Sequence, residues 1–309
     1  MDARGVVLMT DHSSTEGSRA TLSTAVKMLT GQPPVLIDAR HFLPGGGGRA
    51  NVADGALQLE VPGKDLVVVP TVLLIYEIPP AKRRGFEAFQ RLARRYGAIS
   101  LGTDADAWRT ATEKDLMVEQ FVLDDIPHME TISLSRPSQE LAVAAFDRLG
   151  QDVWARPAVG MGGNDVFHIT THAQLRDATR HYASSESDWL MARDATNFTP
   201  AGQRHQFRIV VLDGHVVRAC EHFQADPDAP CNETQGAIST LLVINDLPTE
   251  LCQLAVRATK SLGLPFAGVD LAMENGGVVF EVNVHPMFGS VGGLETVAIP
   301  YAAAHLAML

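Results

Sequence analysis

Apolar residues in this chain alternate between short β-branched runs and stretches with helical spacing. The run "GVVLMT" is followed by the polar turn "DHSST" and by "RATLSTAVKML", whose apolar positions recur every three to four residues, and the three together predict a β-α unit. A second strand, "PVLID", leads into the Gly-rich loop "LPGGGGRANVADG". A third, "DLVVVPTVLLI", is nearly all apolar, and "AKRRGFEAFQRLARRYG" repeats apolar residues at helical spacing until Gly97. Strands of this kind alternating with helices predict a parallel sheet covered on both faces, an α/β domain over residues 1–103.

The pattern then changes. "TDADAWRTATEKDLMVEQFVLDDI" reads as helix from about Ala107, "IPHMETISLS" as extended chain and "SQELAVAAFDRLG" as helix. "DVWARPAVGMGGNDVFHI" reads as strand, Gly-rich turn and strand, and "HAQLRDATRHYA" as helix. Residues 120–188 therefore form a small α+β lobe. Beyond it come the strands "WLMARDA", "HQFRIVVLDG" and "HVVRACEHF", a polar loop from Gln224 to Gln235, the helix "TELCQLAVRATKSLG" and the hairpin "FAGVDLAMENGGVVFEVNVHP". With 309 residues and 46% hydrophobic content, the chain has material for two or three cores.

Composition excludes some functions. The net charge is −11 and the arginines are dispersed, which argues against nucleic acid and against anionic membranes as partners. The apolar run near the N-terminus is too short for a signal segment, and no stretch approaches the ~18 apolar residues of a membrane span. Three cysteines with no C-x-x-C pair suit a reducing interior, so the sequence reads as cytoplasmic.

The chemistry concentrates in the last hairpin. Strand residues two apart share a face, so Glu281 and Asn283 point together, and Asp270 on the preceding strand sits opposite them if "MENGGV" closes the pair. Two carboxylates and an amide are hard oxygen donors suited to Mg²⁺, whose shell is completed by water and substrate phosphates, the alternative being that Asp270 and Glu281 are ordinary hairpin surface residues. In "DVWARPAVGMGGNDVFHI", Gly160, Gly162 and Gly163 form either a backbone cradle for phosphate with Arg156 beside it or a plain flexible hairpin tip. In "HQFRIVVLDG", Arg208 lies between Phe207 and Ile209, placed either on a solvated face or into a site. Ser13, Ser14 and Arg19, after the first strand, offer a carboxylate-binding helix start or ordinary capping.

In their order, "RPAVGMGGNDV", "QFRIVVLDGHVV", "NETQGA" and "GVDLAMENGGVVFEVNVHP" resemble the ATP-grasp superfamily, and most closely its ribosomal-protein-glutamate-ligase-like branch. The resemblance runs from about Gly102 to the C-terminus, and "GSVGGLETVAIPYAAAHL" is similar to that branch's closing helix. It implies an N-terminal parallel-sheet domain (1–103), a central lid domain (120–188) and a C-terminal ATP- and metal-binding domain (104–119 with 189–309), ATP lying between the last two. By position, Asp270, Glu281 and Asn283 would hold two Mg²⁺ ions. Lys114 and Arg156 would contact the nucleotide's phosphates, Arg208 would face the transferring phosphoryl group, and Asn232 would lie near the metals.

Some positions depart from the family pattern. Arg156 stands where a lysine is usual, and a planar fork grips phosphate differently from a point charge. "WLMARDA" lacks the Gln-Glu pair that reads adenine, leaving that task to backbone groups of Met191, Ala192 and Arg193. His222 replaces an arginine, as either an acid–base group or an ordinary strand-edge histidine. The family joins carboxylate to amine through an acyl phosphate, with ADP and phosphate as products, so the resemblance implies a ligase of an amino-acid-type small molecule. The family includes the enzyme that closes the D-cycloserine ring from O-ureido-D-serine, and the divergent hinge and His222 fit a specialised biosynthetic enzyme of that kind. A catalytically silent nucleotide-binding module and a phosphotransfer kinase are the competing readings, and a homo-oligomer is compatible with all of them.

Overall fold

The computed structural model describes residues 2–63, 66–288 and 292–309. Asp65 and the stretch from Gly289 to Val291, which belong to the expected third strand and to the approach to the closing helix, lie outside the described residues. The chain begins with β1 (Asp2–Thr10), α1 (Ser18–Thr30), β2 (Val35–Asp38), β3 (Arg49–Ala53), β4 (Ala56–Val61), β5 (Leu66–Tyr76) and α2 (Pro80–Arg95). Next come α3 (Ala105–Thr112), α4 (Lys114–Leu123), β6 (Thr131–Leu134), α5 (Gln139–Arg148), β7 (Val153–Pro157), β8 (Phe167–Ile169) and α6 (His172–Ser184). The remainder is β9 (Trp189–Arg193), β10 (Arg204–Leu212), β11 (His215–Gln224), β12 (Ile238–Leu241), α7 (Thr249–Ser261), β13 (Phe266–Ala272), β14 (Val278–Asn283) and α8 (Ile299–Leu306). Two compact units result, one of residues 1–109, 263–267 and 284–309, the other of 110–262 and 268–283.

The first unit carries a five-stranded sheet in the order β2-β1-β5-β4-β3. β1 pairs in parallel with β2 and β5, as the apolar runs predict, but β4 and β3 run antiparallel, so the sheet is mixed. The missed hairpin begins within the stretch expected to be a Gly-rich loop, and its second strand follows that stretch. Its turn is Asp54-Gly55, both at positive φ, the backbone that a two-residue hairpin turn requires. Helix α1 buries Leu22, Ala25 and Val26, and α2 buries Phe86, Phe89 and Ala93. Each fully buried Leu, Val or Phe side chain among these contributes about 1.5–3 kcal/mol. Residues 284–309, expected in a C-terminal domain, belong here because α8 packs on α1 and because Tyr76, Phe266, Phe288 and Tyr301 form one aromatic cluster.

The second unit holds two antiparallel sheets, β12-β11-β10-β13-β14 and β6-β9-β7-β8. In the four-stranded sheet, α5 and α6 cover one face through a core that includes Phe146, Leu175, Tyr182, Trp189 and Met191. β9 is a central strand of this sheet, paired with both β6 and β7, so the lobe expected to end at residue 188 extends through Arg193. Behind the five-stranded sheet, α7 buries Leu251, Leu254, Ala255 and Ala258. The single helix expected from Ala107 is two helices, broken at Glu113, whose backbone is extended. No helix among the described residues is long and apolar enough to cross a membrane.

Candidate active site

The β13–β14 hairpin folds as its alternation dictates. Asp270 pairs directly with Glu281, and Gly268 with Asn283, so all three polar side chains share one face. The turn between them places Asn275, Gly276 and Gly277 at positive φ, and the chain bulges after Asp270. A methyl group on Gly277 would lie 3.0 Å from Leu251 and from Leu254, so only glycine lets the turn rest on α7.

Cations meet these carboxylates from three other elements. From β10, Arg208 donates Nε and Nη2 to the two oxygens of Asp270, each at 2.6 Å. Asn283 adds a donated bond to Asp270 at 3.0 Å. Lys114 opens α4 at the break after Glu113, its backbone N–H bonded to the Ala158 carbonyl, and its Nζ lies 3.3 Å from Glu281 Oε1. From β7, Arg156 Nη1 lies 3.6 Å from Glu281 Oε2, while its Nη2 donates to the Phe280 carbonyl. Burial by itself lowers the Arg208 guanidinium, but Asp270 outweighs it and holds Arg208 above the ordinary arginine value. Burial pushes Arg156 below that value against the pull of Glu281 and Asp270, and its Nε is buried with no hydrogen-bond partner.

These groups line one cleft within the second unit. Lys114, Arg156, Gly160, Gly162, Gly163, Arg208, Asn232, Asp270, Glu281 and Asn283 line it, together with Met129, Ala192, Arg193, Ala195 and Phe280. Met129, Ala192, Ala195 and Phe280 form an apolar patch suited to a flat aromatic base. Glycine at 160, 162 and 163 leaves backbone without side chains beside the cations. The donor set fits a hard divalent cation: two opposed carboxylates and an amide on one face, with buried guanidinium and ammonium groups at hand for phosphate oxygens. Asn232 also caps a short turn, its side-chain oxygen accepting from the Thr234 N–H at 3.0 Å.

Several expected residues lie elsewhere. Met191 is fully buried in the core of the four-stranded sheet and does not line the cleft. Its neighbours Ala192 and Arg193 line the cavity. His222 is buried opposite Gln206, is not among the lining residues, and has an Nδ1 with no partner. Burial first, then the nearby Arg208 charge, lowers its basicity, against the opposing pull of Asp270 and Glu233. In the first unit, two of the N–H groups at the start of α1 are already satisfied. Gly17 and Arg19 donate theirs to the carboxylate of Glu77, and Ser13 donates its N–H and hydroxyl to Asp11, which also accepts from Lys82. The chain's own acids therefore occupy the carboxylate position proposed for Ser13 and Arg19, and Ser14 Oγ accepts from the Glu16 N–H.

Sequence reading missed several residues in and around the cleft. Trp154, Arg204 and Asp194 form a buried network in which the indole N–H and Arg204 Nη1 both donate to Asp194 Oδ2 at 2.7 Å. Trp154 and Arg204 line the cleft. The strand alternation that places Gln206 and Arg208 on one face applies equally to Arg204. Cys231 also lines the cleft, but burial and then Asp270 push its thiol up to about 12, which makes it a poor nucleophile.

Comparison with known proteins agrees with this geometry. Residues 119–295, more than half of the chain, match the family model of the prokaryotic glutathione synthetase ATP-grasp domain. Glutathione synthetase of Rhodopseudomonas palustris is 24% identical over 217 residues, which are 69% of this chain and 64% of that protein, so the match spans just under two thirds of that relative. A probable alpha-L-glutamate ligase of Klebsiella pneumoniae is 37% identical over 90 residues, 29% of this chain and 28% of that protein. The structure of the ATP-grasp ligase PsnB complexed with a minimal precursor superposes with a TM-score of 0.70 at 15% identity, covering 98% of this chain and 99% of PsnB. The fold is that of the ATP-grasp proteins, and the chain belongs to the family of the prokaryotic glutathione synthetase ATP-grasp domain.

Proposed function

We propose that the protein is an ATP- and Mg²⁺-dependent carboxylate–amine ligase acting through an acyl phosphate on an amino-acid-type substrate. The observation that carries this reading is the convergence of Asp270, Glu281 and Asn283 with Lys114, Arg156 and Arg208 in one cleft that is also lined by the apolar patch of Met129, Ala192, Ala195 and Phe280. Mg²⁺, with two ions the natural complement of two carboxylates, supplies charge neutralisation on the phosphates and would be held by Asp270, Glu281 and Asn283. The names of the relatives, glutathione synthetase and alpha-L-glutamate ligase, support the substrate class.

The chemistry asks little of the protein beyond position and charge. A carboxylate oxygen attacks the γ-phosphorus of ATP as the bond to the leaving ADP oxygen breaks, and the acyl phosphate is then attacked at carbon by a nitrogen that loses a proton as phosphate departs. Lys114 and Arg156 orient phosphate oxygens, and Arg208 meets charge on the transferring group once Asp270 also serves a metal. The Gly-rich segment of residues 158–166 excludes water from the intermediate. No side-chain nucleophile is needed, in keeping with the weakly ionised thiol of Cys231.

Within this class, ring closure of O-ureido-D-serine to D-cycloserine is the specific reaction we propose to test first. The assay is phosphate release from MgATP with that compound, with glutamate and with short peptides, and with hydroxylamine present to trap the acyl phosphate as a hydroxamate. Carboxylate-dependent hydroxamate supports the ligase. ADP formed on a hydroxyl substrate without hydroxamate favours a kinase, and nucleotide binding without turnover favours a silent module. The retention of Asp270, Glu281 and Asn283 together speaks against the last.

A further inference from the structure

His168, in β8, stands between two carboxylates from different parts of the second unit. Its Nε2 lies 2.7 Å from Asp152 Oδ1, beside the start of β7, and its Nδ1 lies 2.7 Å from Asp228 Oδ1, in the loop after β11 that continues to Asn232. The His168 side chain is 10% exposed, and its ring stacks on Trp154 at 4.6 Å and 11°. Carboxylates only accept hydrogen bonds, and a neutral imidazole has a single N–H. Two such contacts therefore require both ring nitrogens to carry hydrogen. On the neutral ring one nitrogen would turn its lone pair toward a carboxylate, and one of the two links would become repulsive.

A second link joins the same two segments. The Gly162 carbonyl, at the tip between β7 and β8, accepts from the Thr234 hydroxyl and from Gln235 Nε2 at 3.0 Å. A methyl group on Gly163 would lie 2.8 Å from Gln235 Cγ and 3.3 Å from Pro230, so the tip sits directly on the loop. Gln224 braces that loop by donating to the Pro230 and Gln235 carbonyls.

We propose that His168, as an imidazolium, is a positioning residue that clasps the β7–β8 hairpin to the loop carrying Asn232 and makes closure of the cleft depend on pH. The charged groups around it are Asp152 and Asp228 in contact, Asp194 nearby with Arg204 paired to it, and no further cation in direct contact among the described residues. Asp152, His168 and Asp194 approach the geometry of a metal site, but Asp194 Oδ2 already accepts from Arg204 and Trp154, and that guanidinium would face any bound cation. The clasp holds while the ring carries both protons and weakens as rising pH removes one. Its consequence for nucleotide retention rests on the proposed function, whereas the clasp itself does not.

The test is hydrogen exchange of residues 158–166, corrected for intrinsic rates, at about pH 6 and about pH 9. The wild type is compared with Asp228→Asn, which changes an exposed side chain, and with Thr234→Val. Protection in the wild type should fall several-fold as pH rises, should be lower and nearly independent of pH in Asp228→Asn, and should be lower but still pH-dependent in Thr234→Val. Equal protection at both pH values in the wild type, or wild-type behaviour in Asp228→Asn, overturns the clasp. MgATP dissociation, measured in parallel, should quicken by a similar factor in Asp228→Asn. If exchange responds as stated and ATP does not bind at all, the clasp stands and the nucleotide reading fails.

Discussion

His305 gives a prediction whose size follows from the structure. The residue sits on α8 with no exposed surface; its Nδ1 bonds the Tyr301 carbonyl at 2.9 Å, and its Nε2 accepts from the Leu101 N–H at 3.0 Å. Protonating Nε2 would set two N–H groups against each other in a buried site. Burial accordingly holds the imidazole down to about 4 from its ordinary 6.5, the Tyr301 carbonyl acting weakly the other way. The unfolded chain therefore takes up this proton first as pH falls, so the stabilisation is complete above pH 6.5 and is lost progressively toward pH 4. At about 1.36 kcal/mol per unit, a difference of roughly 2.5 units amounts to roughly 3 kcal/mol. Other acidic groups titrate in the same range, so His305→Phe, which keeps the ring and removes the titration, is the reference. At neutral pH the variant should be less stable by about 1–3 kcal/mol, because the Leu101 N–H loses its acceptor. In urea unfolding, that gap should close, and even reverse, by roughly 3 kcal/mol as pH falls to about 4. A gap of constant size across the range would refute the buried neutral acceptor.

Three further outcomes follow from the second unit. Glu281→Gln leaves Lys114 and Arg156 without their carboxylate, and should cost roughly 3 kcal/mol by thermal unfolding while increasing stabilisation by inorganic triphosphate in the absence of Mg²⁺. An unchanged response to triphosphate would show that the two cations do not face phosphate. Gly163→Ala combines a φ of +70° with a 2.8 Å contact to Gln235, whereas Gly214→Ala has a similar φ in open space. Both should lower the unfolding free energy, the second by about 1 kcal/mol and the first by clearly more, and equal losses would mean that the hairpin tip is not seated on the loop. Cys231 should resist alkylation at about pH 8 in the folded protein and react on unfolding, and rapid labelling would contradict its burial.

The parts of the site that sequence revealed are those set by strand alternation. Asp270, Glu281 and Asn283 share a face because residues two apart do, whereas alternation left Arg208 between a solvated face and a site, and the structure has it lining the cleft. The central strands of the first sheet were legible from their unbroken apolar runs. Less visible was the β3–β4 hairpin, whose Asp54-Gly55 turn lies close to four glycines that read as loop. The break at Glu113 was hidden because both flanking segments favour helix, yet it places Lys114 at a helix start beside Ala158. Occupancy could not be read at all. The start of α1 looks like an anion site until Glu77, some 60 residues later, fills it, and the clasp joins His168 to Asp228 across a similar separation. Burial decided His222 and Met191, since one strand can point a side chain into a core or into a cavity with the same local pattern.

The central claim is that the cleft binds ATP through metals held by Asp270 and Glu281. Its most direct measurement is thermal stabilisation by ATP with and without Mg²⁺, in the wild type and in an Asp270→Asn, Glu281→Gln double variant, because a ligand specific to the folded state must raise the midpoint as it saturates. The account predicts a Mg²⁺-dependent rise in the wild type that is absent in the double variant. A rise of the same size in both proteins, or none in the wild type, would contradict it.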